Sequence, residues 1–162
     1  MTGKTIDVTA VEVVDLRADR LDVAREMISS AAKWSMAASF IPVPYVDLAT
    51  LATLQTKLIV NLATLYDQKL SKQAVNGVIT VLIGTLSPTG ASQVTAGMFA
   101  KFVPGIGTLI GAASLAVFSY AATHAVGKIF VRHFENGGTF ANFVAKNYQS
   151  ELKTEFASAQ SH

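Results

Sequence analysis

From about Val14 the apolar positions Val14, Ala18, Leu21, Ala24, Ile28 and Ala31 recur every three or four residues, the spacing that stacks side chains along one helix face. That pattern predicts a first helix over about residues 14–40. Its first half carries Asp15, Arg17, Asp19, Arg20, Asp22, Arg25 and Glu26, whereas Trp34 to Phe40 is nearly apolar, so the helix is expected to pass from water into something dry. Pro42 and Pro44 end it, because proline removes a backbone donor and pushes the preceding residue out of the helical region. A second helix follows with Asp47 as N-cap. Leu48, Leu51, Leu58, Ile59, Leu62, Leu65 and Tyr66 form its stripe, opposed by Thr50, Thr53, Lys57, Asn61, Thr64 and Gln68. Ser71 caps a third helix through Val75, Ile79, Leu82 and Ile83, broken by Ser87-Pro88-Thr89-Gly90.

A short fourth segment, residues 91–101, leads to a second break at Pro104-Gly105-Ile106-Gly107, after which a helical pattern runs from about Thr108 to His133. Asn136-Gly137-Gly138 is a helix stop, since glycine accepts the left-handed conformation that closes helices. Thr139 then caps a last helix whose stripe is Phe140, Phe143, Val144, Tyr148, Leu152 and Phe156. Residues 1–12, with a weak alternation at Ile6, Val8 and Ala10, are expected as an extended polar tail or a short strand, 13–157 as one helical domain, and 158–162 as a second tail. The expected fold class is all-α, a bundle of about five to six helices, with no internal repeat.

Charge changes this picture most. Between Lys72 and Lys128 the only charged side chain is Lys101, and Phe102 to Gly127 is uncharged throughout, longer than the about 20 residues a spanning helix needs. The whole chain is 51% hydrophobic and 15% charged, against about 25% charged for ordinary soluble domains. Residues 74–127 are therefore expected as a Pro/Gly-broken hydrophobic hairpin inserted in a membrane. Gly107 and Gly111 form a G-x-x-x-G pair, and with Gly105, Ser114 and Ser119 they keep the surface small enough for close helix packing or an oligomer interface. The other reading of the same block is the buried centre of a soluble bundle. The first ten residues lack the basic and apolar regions of a secretory signal, so insertion from the cytoplasmic side by internal segments is expected.

Little chemistry is legible. A net charge of +2 without a basic stripe excludes nucleic acid as the expected partner. The chain has no cysteine, which removes disulfides, thiolate metal sites and cysteine nucleophiles together. His124 and His133 fall on opposite faces of one helix at about 100° per residue, so they cannot share a metal. His133, beside Lys128 and Arg132, reads as part of an interfacial positive cluster. Gly105-Ile106-Gly107 has no preceding strand and no following Gly-Lys-Ser/Thr, so it is not a phosphate loop. Asp47 and Gln55, two turns apart, are placed to share a buried polar network, with capping as the simpler role for Asp47. No enzyme, metal or cofactor is expected.

Pro42-Val43-Pro44-Tyr45-Val46-Asp47, followed by Leu51, Gln55 and Leu58-Ile59, resembles the signature of the GTPase-associated, YcjF-type domain of unknown function. Lys101-Phe102-Val103-Pro104-Gly105-Ile106-Gly107 is similar to that family's later Pro-Gly-x-Gly turn, and Tyr120 to Gly127 to its Ala-rich helix. The resemblance covers roughly residues 30–135. It implies a helical, membrane-associated bacterial module working beside a small GTPase and lacking an established enzymatic activity. The chain departs from the pattern in carrying no GTPase domain and in having Asp67 where a glycine often follows the tyrosine, so any GTPase partner is a separate chain. The resulting expectation is a homo-oligomeric scaffold, membrane-remodelling or pore-forming protein at the bacterial cytoplasmic (inner) membrane or peripheral on its cytoplasmic face. The alternative is a soluble helical oligomerisation or partner-docking module.

Overall fold

Neither glycine nor proline occurs between Val8 and Ala38, and nothing there interrupts a helical hydrogen-bond ladder. The computed structural model, which describes residues 8–39, 47–70, 72–86 and 107–161, accordingly contains one long first helix, α1 (Val8–Ala38). It is followed by α2 (Asp47–Leu65), α3 (Lys72–Thr85), α4 (Gly107–Glu135) and α5 (Gln149–Gln160), with 3-10 turns at Phe140–Asn142 and Ala145–Tyr148. No strand occurs among the described residues, so the fold is all-helical.

Cross-helix contacts fix the topology. Arg17 reaches Glu135 while Ser39 reaches Ser119, so α1 and α4 run antiparallel. Thr56 bonds Asn76 between α2 and α3, Arg20 covers Tyr66 between α1 and the end of α2, and Lys128 bonds Glu155 between α4 and α5. The helices therefore alternate up and down. Their apolar stripes meet in one core, with Ala24 and Ile28 from α1, Leu58, Ile59 and Leu62 from α2, and Val75, Ile79 and Leu82 from α3. Ala122, Val126, Ile129 and Phe130 from α4 and Leu152 from α5 complete it.

Two helices end in the same way. Gln68 N–H bonds Ala63 O and Asp67 N–H bonds Thr64 O, closing α2; Gly138 N–H bonds His133 O and Gly137 N–H bonds Phe134 O, closing α4. Both are Schellman closures, which require a left-handed residue. Gly137 holds it at φ 76° and Asp67 at φ 54°. Asp67, the departure noted from the family pattern, thus sits where glycine carries no steric penalty.

Four expectations need correction. The chain is already helical at Val8, so residues 8–12 are not an extended tail. The last helix does not begin after Thr139. Side-chain bonds compete with the helical ladder there, giving two 3-10 turns before α5, and Val144 is 50% exposed rather than part of the stripe. His133 is buried, not part of a positive surface cluster. Finally, no helix among the described residues is long and apolar enough to cross a membrane. The reason is compositional. The stretch of α4 before Lys128 is uncharged, but it is rich in Gly, Ala, Ser and Thr, which gain little on transfer to hydrocarbon compared with Leu, Ile or Phe. The expected segment 91–101, both proline-punctuated breaks and the tip of the hairpin lie outside the described residues.

Candidate functional site

On α1, Ala24, Ile28, Ala32 and Ser35 are buried along one face, and on α4 Ser119, Thr123 and Gly127 repeat every four residues opposite them. Small side chains let the two backbones approach closely. The closest point is Gly127, where an added Cβ would lie 2.7 Å from Ile28 Cγ1. Hydroxyls span the rest of the seam. Thr123 Oγ1 donates to Ser35 Oγ at 3.0 Å, and Ser35 Oγ donates in turn to Ala31 O at 2.9 Å. Ser39 Oγ lies 2.9 Å from Ser35 O and 3.0 Å from Ser119 Oγ, so it donates to the carbonyl and accepts from the Ser119 hydroxyl. Each buried hydroxyl is thereby satisfied without water, avoiding the penalty of about 1–3 kcal/mol for an orphaned group.

At the opposite end of the same helix pair is a cleft of about 250 Å³ lined by Val13, Leu16, Arg17, Arg20, Tyr66, Phe134 and Glu135. Arg17 Nε bonds Glu135 Oε2 at 2.5 Å and Arg17 Nη2 bonds Glu135 O at 2.9 Å, so one guanidinium holds both a carboxylate and a terminal carbonyl of α4. Arg20 Cζ lies 5.3 Å from the centre of the Tyr66 ring, a cation–π contact. Burial pushes the Tyr66 hydroxyl well above its ordinary range, and the facing Glu135 carboxylate adds to this. Burial also pushes the Glu135 carboxyl up, but the facing Tyr66 hydroxyl and the Arg17 and Arg20 guanidiniums outweigh it and hold the carboxyl below its usual 4.5. A phenol pushed up and a carboxyl held down are poorly matched to proton transfer near neutrality. The cleft acts as a clamp between α1 and the end of α4. Among the described residues no three His, Asp or Glu side chains gather into a metal-sized cluster.

A third polar feature joins α4 to the segment after it. His133 Nε2 faces two acceptors, Thr139 O at 2.9 Å and Asn142 Oδ1 at 3.0 Å, so it carries a proton and donates. Nδ1 then pairs with the Tyr148 hydroxyl at 2.7 Å. Phe143 stacks on Phe130 at 4.4 Å and on Tyr148 at 4.9 Å, and meets the His133 ring edge-on at 5.1 Å. Gly138 leaves room for the imidazole, since a Cβ there would lie 2.4 Å from it. Beyond this box, Lys128 pairs with Glu155, and Arg132 with both Glu151 and Glu155, tying α5 to α4.

Of the residues singled out from the sequence, Ser119 lies in the α1–α4 seam and is 2% exposed. Gly107, Gly111 and Ser114 are on the first turns of α4, and Asp47 begins α2. Gln55 is fully buried, and its amide oxygen and nitrogen have no hydrogen-bond partner among the described residues; the side chain of Asp47, expected to share a network with it, lies outside them. Pro42, Pro44, Pro104 and Gly105 lie outside the described residues. The cleft groups Arg17, Arg20, Tyr66 and Glu135 were not anticipated, because their sequence separation hides the contact. Ser35 and Ser39 were not anticipated either; their four-residue spacing, the same as that of Ser119 and Thr123, is the signal that could have found them.

Among known proteins, the chain is 35% identical over 134 residues to the magnetosome membrane protein 22 of Magnetospirillum gryphiswaldense, an alignment covering 83% of this chain and 69% of that protein. No solved structure matches it. Residues 9–160 match the domain of unknown function DUF697, nearly the whole helical bundle, and the chain therefore belongs to that family.

Proposed function

We propose that this protein is a membrane-associated helical scaffold that turns the uncharged end of its bundle toward the bilayer and keeps its charged end in water. One observation carries the reading: the up-and-down fold collects the charge of α1, α3, α4 and α5 toward the same end. The last charge on α1 is Lys33, the first on α4 is Lys128, α3 has none after Lys72 and α5 none after Glu155, whereas α2 carries Lys57 at its middle and Asp47 at its start. Above Lys128, α4 continues uncharged for about 30 Å at 1.5 Å per residue. No single helix needs to span. The seam hydroxyls toward that end are already paired with one another, so they cost little to dehydrate.

The membrane name of the magnetosome relative supports the same role. A scaffold or remodelling role fits better than a pore, because the Ser119 and Thr123 hydroxyls that could line a channel are used against α1. The cytoplasmic face of the bacterial inner membrane, association of copies through the Gly107 and Gly111 face, a non-catalytic role, and a small GTPase on a separate chain complete the proposal. The last rests on the YcjF-type resemblance alone. Flotation of the detergent-free protein with vesicles of phosphatidylethanolamine and phosphatidylglycerol tests the central point. The protein is expected to rise with the vesicles; recovery at the bottom of the gradient, well folded by circular dichroism, would remove the membrane role.

A further inference from the structure

The boundary between the two ends has its own chemistry. Lys33 and Trp34 are adjacent on α1 and both exposed, Trp34 at 67%, the highest value among the exposed large hydrophobic side chains. Lys57 is exposed on α2. Arg20 and Tyr66 fix the register of these antiparallel helices, and Lys33 stands about 20 Å above that contact and Lys57 about 14 Å, within roughly one helical turn of each other. Above this level the exposed large side chains among the described residues are apolar and come from three helices: Met36 on α1, Val81 on α3 and Val117 on α4. Below it, α1 is densely charged, with Glu12, Asp15, Asp19, Asp22 and Glu26 interleaved with Arg17, Arg20 and Arg25, all exposed, and Val13, Val14, Leu16 and Val23 exposed among them.

An indole beside a lysine, between a side whose exposed large side chains are apolar and a side dense in charge, is the arrangement that settles at a lipid–water interface. The ring sits at headgroup depth, and the ammonium groups reach phosphate on flexible apolar stems. Lys33 and Lys57 are drawn to an anionic surface, and the mixed charges below them stay in water. We propose that Lys33, Trp34 and Lys57 form an interfacial collar whose ligand is the anionic headgroup layer of a lipid bilayer. This rests on the membrane reading above and names its partner and its depth.

Trp34 is the only tryptophan, so its emission reports the collar directly. The full chain is titrated with vesicles of phosphatidylcholine alone or with phosphatidylglycerol added, at low and high salt, and flotation is followed in parallel. Emission is expected to move to the blue with the anionic vesicles and to lose affinity as salt is raised. Lys33→Gln and Lys57→Gln should each weaken binding about fivefold and the double variant about 25-fold, from a contribution of about 1 kcal/mol per lysine, with Lys→Arg restoring it. Both positions are exposed, so circular dichroism should be unchanged. Equal, salt-insensitive binding to both vesicle types would overturn the collar and leave the membrane role standing, whereas failure to float with either would overturn both. Flotation with Trp34 still emitting as in water would overturn the collar alone. A blue shift that follows protein concentration without vesicles would assign this face to a second copy and overturn it too.

Discussion

At the charged end, helices are joined by ion pairs between partly hydrated side chains. Arg17 and Glu135 close α1 on α4, and Lys128 and Arg132 hold Glu151 and Glu155 of α5. Toward the other end the same α1 and α4 are joined by Ser35, Ser39, Ser119 and Thr123 and by the contact of Ile28 with Gly127. The basic partners of the ion pairs are 46% to 57% exposed, and pairs so hydrated contribute about 0–1 kcal/mol each. The seam is dry and depends on fit. One helix pair is thus fastened in two ways, and substitutions at the two ends should differ in size accordingly.

The largest effect is expected at Gly127. Gly127→Leu forces a side chain into Ile28, an overpacking that costs up to about 3 kcal/mol, of which about 1 kcal/mol is regained because leucine is the better helix former. A net loss of about 2 kcal/mol should appear in urea unfolding; no loss would mean that α1 and α4 are not tightly packed there. Thr123→Val keeps the volume and removes one buried hydroxyl bond, and a loss of about 1 kcal/mol is expected. Asp67→Gly should stabilise by about 0.5–1 kcal/mol, because it removes a non-glycine residue from the left-handed position at φ 54°.

Glu135→Gln should have the smallest effect at neutral pH, under about 1 kcal/mol, and a larger one on the acid limb. Burial pushes the Glu155 carboxyl up, but Lys128 and Arg132 outweigh it, so Glu155, like Glu135, is held below its ordinary 4.5 in the folded chain. The folded state therefore binds these protons more weakly than the unfolded one. The stability they contribute is present above about pH 4.5 and is lost as pH falls through their lowered values. Denaturation followed from pH 6 downward should show a shallower loss in Glu135→Gln than in the parent chain.

The helices were legible where periodicity and punctuation agreed. The α2 stripe of Leu58, Ile59, Leu62 and Tyr66 is buried as expected, and Asn136-Gly137-Gly138 closes α4. The pattern was misleading where local side-chain bonds override it. His133, Thr139 and Asn142 hold residues 140–148 out of an α-helix, and no apolar period reveals that. The spanning helix was overestimated because absence of charge was read as hydrophobicity, although α4 is rich in alanine, glycine and hydroxyl residues. The cleft could not be read at all: Arg17 and Glu135 are 118 residues apart and meet only because α1 and α4 pack antiparallel.

The absence of cysteine permits a direct comparison of the two ends. Val13 and Val117 are 61% and 45% exposed, on α1 and α4 respectively, at opposite ends of the bundle. Val13→Cys and Val117→Cys, each labelled with a polarity-sensitive fluorophore, would be mixed with anionic phospholipid vesicles. A strong blue shift at position 117 with none at position 13 is the expected result; equal shifts at both, or a shift at position 13 alone, would contradict the assignment of lipid to the uncharged end.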